Sequence, residues 1–190
     1  MKYAIPDIQQ LAQQVQRIDD RQQLAELISR YGMAVDDRDF ETLGRLFAPD
    51  GEFHGVKGRQ AIIDYYRART ATFTTSSHHA FTWHFDFDSD SGPAGTVNAH
   101  AQLCIGGKTV EIALRYLDRY VKGEPGWMFQ SRTLKFRYVL PRDDVANRLD
   151  DPLRVRWPGT QAQAADLPDK LQTYIDSRKI AVAGARPPNT

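Results

Sequence analysis

Apolar positions in the first third of the chain recur with a helical period. Leu24, Leu27, Ile28, Tyr31 and Val35 fall at i, i+3, i+4, i+7 and i+11, which predicts an amphipathic helix from about Asp20 to about Val35. Asp19, with Gln22 three residues on, has the form of an N-cap. Residues 8–17 carry only Ile8, Leu11 and Val15 and read as a weak lead-in helix. Asp39 is placed to cap a second helix, Phe40–Phe47, and Ala48-Pro49-Asp50-Gly51 reads as a stop and turn. Glu52-Phe53-His54 starts a short strand and Gly55–Gly58 turns. A third helix covers Arg59–Thr70, with Ile62, Ile63 and Tyr66 inward and Arg67 and Arg69 in its last turns.

After Thr75 the period changes to two. His79–Asp88 alternates and is rich in aromatics, Asp88–Pro93 is a turn cluster, and Ala94–Ile105 reads as a strand. Gly106-Gly107 reads as a hairpin turn, Lys108–Val121 as a long strand, and Trp127–Leu140 as a last one. Helices followed by a run of antiparallel strands predict an α+β fold: a curved sheet closing over helices into a cone with an apolar floor. From Pro141 the pattern weakens. Leu153–Trp157 is an edge strand or flap, Asp166–Ile180 a final helix, and Ala183–Thr190 a frayed end. The division expected is one domain over residues 1–140. Residues 141–190 form an extension lying on it or on a neighbouring subunit.

Composition removes several classes of function. Lys+Arg 25 against Asp+Glu 24 leaves no basic footprint, so neither nucleic acid nor an anionic membrane is expected as a partner. No apolar run spans a bilayer, and MKYAIPDIQQ lacks the apolar core of a signal peptide, so a cytoplasmic protein is expected. Cys104 is the single cysteine, which excludes an internal disulfide. Five histidines are present without H-E-x-x-H spacing, and no Gly-rich phosphate loop follows a strand. Neither metal nor organic cofactor is expected.

The candidate chemistry lies at Asp36, where an acid ends the buried face of the first long helix. A carboxylate there is costly unless paired. His78, at the head of the first long strand, is the partner expected. His78 and His79 alternate across the strand, so one faces inward and the other outward or to a loop. His84 shares parity with His78, which puts it on the pocket floor or in the core. His100 lines the pocket or an interface.

The order of elements from about Ile18 to Tyr138 resembles the SnoaL-like branch of the NTF2-like cone fold. The residues that carry the resemblance are Tyr31 and Asp36 in YGMAVDDRDF, Phe47–Gly51, Gly58, Ser77-His78-His79, Tyr116-x-Asp118-x-Tyr120, and Trp127 with Arg132 in WMFQSR. The resemblance extends to dehydratases and dehydrochlorinases of that branch. It implies a cofactor-independent lyase with Asp36 and His78 as the acid–base dyad, and Tyr31 and Arg132 as catalytic partners. A substrate-binding wall including Phe53, Trp83, His84, His100 and Tyr116 goes with it. The chain departs from the pattern at His79, a second candidate base, and at Thr82, where relatives often carry Asn. A hydrophobic, carbonyl-bearing small molecule is the substrate expected, and a homo-oligomer (trimer or dimer) the assembly. A polyketide cyclase or isomerase using the same base is the alternative within enzymes. A non-catalytic module like a dioxygenase small subunit is the alternative outside them.

Overall fold

The computed structural model describes the backbone of residues 7–184 and the side chains of residues 7–179. One helix, α1 (Ile8–Asp36), takes the place of the two segments expected. Its cap is Asp7, not Asp19. The Asp7 carboxylate accepts from the Gln10 amide N–H at 2.8 Å, and the Gln10 side chain accepts from the Asp7 N–H in return. Asp19 lies inside the helix and accepts from Gln23. The reciprocal cap one turn before Leu11 lets the helix start early, although Ile8, Leu11, Val15 and Ile18 are exposed. The stripe from Leu24 to Val35 is buried, together with Ala34.

Asp39 caps α2 (Phe40–Arg45) as expected, accepting from the Thr42 N–H at 2.9 Å. The turn expected at Ala48–Gly51 lies within strand β1 (Phe47–Phe53). Phe47 pairs with Phe129 and Glu52 with Ser131, so five steps on β1 match two on its neighbour. The breaker residues are looped out of register rather than ending the element. His54 and Gly55, both at positive φ (46° and 93°), make the tight turn into β2 (Val56–Lys57). The next helix, α3 (Arg59–Thr70), has the bounds expected and buries Ile62, Tyr66 and Thr70.

Four long strands follow: β3 (Phe73–Asp86), β4 (Ala94–Ile105), β5 (Lys108–Gly123) and β6 (Gly126–Pro141). The sheet order is β2-β1-β6-β5-β4-β3, with β1–β6 the one parallel pair. Helices on one face of this sheet make the NTF2-like α+β cone. Inner-face residues of β4 and β5, Val97, Ala99, Ala101, Leu103, Ile112, Leu114 and Tyr116, meet α1 and α3 in a single core.

Beyond Pro141 come a 3-10 turn (Arg142–Asp144), a short α4 (Val145–Arg148) and α5 (Gln172–Gly184). The strand expected at Leu153–Trp157 is reduced to isolated bridges from Val155 to Val139 and Gln163. The final helix starts at Gln172 rather than Asp166, because the N–H groups of Asp166 and Leu167 donate to the Phe136 carbonyl and the Asp166 carboxylate accepts from the Phe136 N–H, which ties these residues to β6. Buried Arg154 fastens the segment. Its guanidinium donates to the carbonyls of Arg137 at 2.8 Å and Leu167 at 2.7 Å, and pairs with Asp169. The frayed end expected at Ala183–Thr190 lies, from residue 185, outside the described residues.

Candidate active site

Helix α1 meets β3 at Gly32. A methyl group there would sit 3.3 Å from the His78 carbonyl oxygen and 3.6 Å from its Cβ, so glycine allows a close approach of the two backbones. One turn later, on the same face of the helix, Asp36 reaches β3. Its Oδ1 lies 2.6 Å from His78 Nδ1 and accepts from Ser76 Oγ at 2.7 Å. Its Oδ2 accepts from the His78 backbone N–H at 2.7 Å. Burial pushes the Asp36 carboxyl upward. The bonds from the His78 ring, Ser76 and the His78 N–H outweigh it and hold the pKa below the ordinary 3.8. Asp36 is therefore a carboxylate that only accepts, and the proton of a neutral His78 must sit on Nδ1. The other ring nitrogen, Nε2, has no protein partner among the described residues.

His78 stands between two cavities. The first, about 360 Å³, is the interior of the cone. Phe53, Leu103, Leu114, Leu134 and Phe136 make it apolar. The second, about 450 Å³, opens along the seam between α1 and β3, past Gly32, Asp36 and Ala80. Tyr31, His78 and Tyr116 line both. The Tyr31 hydroxyl is 2.5 Å from that of Tyr66, and its ring meets Tyr116 edge-on at 5.7 Å. Burial raises the pKa of Tyr31, while the Arg132 guanidinium and the neighbouring Tyr66 and Tyr116 hydroxyls oppose the rise. Tyr66 and Tyr116 are pushed up further, because burial is joined by the repulsion of Tyr31.

Arg132 is fully buried. Its Nε and Nη2 donate to Asp118 at 2.8 and 2.7 Å, and its guanidinium lies 4.0–4.2 Å from the ring centres of Tyr31, Tyr116 and Phe129. Nη1 has no protein acceptor among the described residues. Arg132 lines the second cavity, not the first, and bears on the first through the tyrosine rings stacked on it.

Of the wall residues expected, Phe53 and Tyr116 line the first cavity. Trp83, His84 and His100 line neither cavity. An extra residue between Ala80 and Thr82 reverses the alternation of β3, so His84 pairs with Thr96 and is exposed. Past that bulge the inner face of β3 lies along α1: Arg21 donates to the Phe85 carbonyl, and Phe85, Val97 and Leu24 fill the space. Trp83, on this edge strand, is 45% exposed. The even positions of β4 face outward, which carries His100 to the other side of the sheet, 3.5 Å from Glu111 and 3.3 Å from the Tyr138 hydroxyl. His79 bonds Ser77 Oγ at 2.7 Å and does not touch Asp36. Four groups join the site without having been singled out for it: Ser76 on Asp36, Tyr66 on Tyr31, and His54 and Arg69 on the cavity wall. Among them only Tyr66 carried a signal, its inward place on α3. Among the described residues, no three metal-ligating side chains converge.

The SnoaL-like domain model matches residues 16–133, well over half of the chain. The chain is a member of the SnoaL-like family. Solved structures with the same fold include a putative scytalone dehydratase from Novosphingobium aromaticivorans DSM 12444, 19% identical. The match covers 79% of this chain and 93% of that one, with a TM-score of 0.62. A type 2 hexachlorocyclohexane dehydrochlorinase (LinA) is 19% identical over 77% and 99% of the two chains, with a TM-score of 0.64. A type 3 LinA from Novosphingobium barchaimii LL02 is 20% identical over 67% and 93%, with a TM-score of 0.63. No curated sequence matches this SnoaL-like chain. At such identities the solved structures establish the shared fold.

Proposed function

We propose that this SnoaL-like protein is a cofactor-independent lyase that eliminates water from a hydrophobic, carbonyl-bearing substrate. The observation that carries the reading is the 2.6 Å contact between His78 Nδ1 and Asp36 Oδ1 on the wall of an apolar cavity. Imidazole is the side chain suited to moving a proton near neutral pH. With its Nδ1 proton held by Asp36, Nε2 of His78 takes the proton from the carbon α to the substrate carbonyl. The electrons of that C–H bond form the new C=C bond, and the C–O bond to the β-hydroxyl breaks. The imidazolium, stabilised by the Asp36 carboxylate, returns its proton to the departing oxygen, so that water leaves and His78 is restored. Tyr31 donates to the oxygen on which negative charge develops, and Arg132 stacked on its ring makes that donation easier. The dehydratase and dehydrochlorinase names among structures of this fold agree with elimination as the reaction class.

The test is turnover of a panel of β-hydroxy carbonyl compounds followed by mass. Loss of water is expected from the wild type, with none above background from His78→Ala or Asp36→Ala. Full turnover by both variants refutes the dyad. A product of unchanged mass that still depends on His78 makes the protein an isomerase or cyclase using the same base.

A further inference from the structure

Eighteen residues line the first cavity, and one of them carries a permanent charge. It is Arg69, in the last turn of α3; among the described residues no carboxylate lines the cavity with it. The Arg69 carbonyl accepts from Thr72 Oγ, whereas its guanidinium has no ion pair and no hydrogen bond among the described residues. Instead it lies 4.5 Å over the ring of Trp157 and 5.3 Å over that of Phe73. Trp157 comes from the C-terminal extension and is itself seated edge-on against Phe136 at 5.8 Å. Stacking on aromatic faces uses the flat sides of a guanidinium and leaves its N–H edge unoccupied. Arg69 and Trp157 are both half-buried, at the rim of a chamber whose deeper walls are apolar and which also holds His78. A lone cation beside apolar walls favours an anion over any neutral group of the same shape, and a planar two-pronged donor suits a carboxylate best.

We propose that Arg69, held in place by Trp157, is the binding site for a carboxylate on the ligand of the first cavity. The ligand class is then an apolar body ending in a carboxylate at the rim, with the reacting carbon deeper, at His78. Calling that ligand a substrate rests on the lyase reading; the binding claim does not. A position in the last turn of a helix already suits an arginine through the helix dipole, so the experiment must detect a ligand and not only a loss of stability.

Calorimetric titration of the full chain with 1-naphthylacetate and with its neutral amide makes the comparison at constant shape. The wild type is expected to bind the carboxylate about ten- to a hundredfold more tightly, the range for a hydrogen bond to a charged group. Arg69→Met is expected to abolish the preference and leave affinity for the amide unchanged. Arg69→Gln serves the same purpose should the methionine variant not fold. His78→Ala is expected to keep the preference. The proposal is overturned by equal affinities in the wild type, by no binding of either probe at millimolar concentration, by a preference that survives loss of the Arg69 charge, or by one that disappears with His78. Turnover retained in His78→Ala while the preference persists removes the lyase reading and leaves the carboxylate site standing.

Discussion

Replacing Asp36 by Asn tests the tautomer on which the chemistry depends, and it does so without knowledge of the substrate. Asp36 accepts three bonds: from His78 Nδ1 and Ser76 Oγ on Oδ1, and from the His78 backbone N–H on Oδ2. An amide has one oxygen and one NH₂. The backbone N–H cannot rotate away, so the amide oxygen is expected to stay opposite it. The NH₂ then points at His78 Nδ1. Two donors cannot face each other there, so the imidazole proton moves to Nε2 and Nδ1 becomes the acceptor. The ring keeps its place, but the nitrogen proposed as the base now carries a proton.

Loss of the correct tautomer in a comparable carboxylate–histidine pair lowers kcat by roughly 10⁴, or about 5.5 kcal/mol of barrier. Stability should fall far less, by about 1–3 kcal/mol, since charged bonds are exchanged for neutral ones. The assay is a long-range ¹H–¹⁵N correlation spectrum of histidine-labelled protein near pH 9, where an ordinary imidazole is neutral. His78→Gln identifies the resonances of His78 among the five histidines. The wild type should show Nδ1 protonated and Nε2 bare, and Asp36→Asn the reverse. A wild-type His78 with its proton on Nε2, or a tautomer that Asp36→Asn leaves unchanged, would refute the reasoning.

Three further outcomes follow from the same geometry. The Asp36 pKa is held below 3.8 in the folded chain, so the unfolded chain binds its proton first as pH falls. Its contribution is whole above that range and is lost as pH drops through the depressed value; the gap in urea midpoint between wild type and Asp36→Asn should narrow from pH 6 to pH 3, and a constant gap contradicts this. Arg132→Met leaves Asp118 charged and buried, and should cost about 3–5 kcal/mol in denaturant titration; Arg132→Met with Asp118→Leu should regain a large part, and no recovery contradicts the pairing. Gly95→Ala would put a methyl 2.6 Å from the Tyr120 hydroxyl, which itself donates to Asp118; overpacking of about 1–3 kcal/mol should lower Tm.

The parts of this fold legible in the sequence are those fixed by local pattern. The stripe from Leu24 to Val35, the Asp39 cap, the bounds of α3 and β4, and the hairpin at Gly106-Gly107 each follow from residues a few positions apart. Asp36 and His78 are 42 residues apart, yet each stands out alone, as an acid ending an apolar stripe and an imidazole opening an alternating run, although β3 itself begins earlier, at Phe73. The misreadings have non-local causes. The alternation of Phe81, Trp83, Phe85 and Phe87 with Thr82, His84, Asp86 and Asp88 already puts His84 on the polar face; the misreading comes from carrying the parity of His78 through Ala80, where pairing with β4 inserts an extra residue. Trp157 reaches the cavity because Arg154 pins the extension to carbonyls of β6 and of its own later turn, bonds invisible without the tertiary structure. Arg69 looked like a helix-dipole residue; its place on the cavity wall, over Trp157 and with no carboxylate beside it among the described residues, changes that reading.

The placement of the dyad itself argues about function. The C-terminal end of a helix carries partial negative charge, which disfavours a carboxylate by about 0.3–1 kcal/mol, and the last turn of α1 contains no basic residue to offset it. One turn earlier, Gly32 weakens the same helix by about 1 kcal/mol relative to alanine. Each is explained by one strand residue: Gly32 admits the backbone of His78, and Asp36 takes its ring and its N–H. An amide at position 36 would avoid placing a charge there, and Ser76 with the backbone N–H would still hold it. What an amide cannot do is require the proton to sit on Nδ1. On the proposed reading, two successive turns give up local helix stability so that one strand can approach and its imidazole be held in one tautomer, and the bonds from β3 to Asp36 return part of that cost.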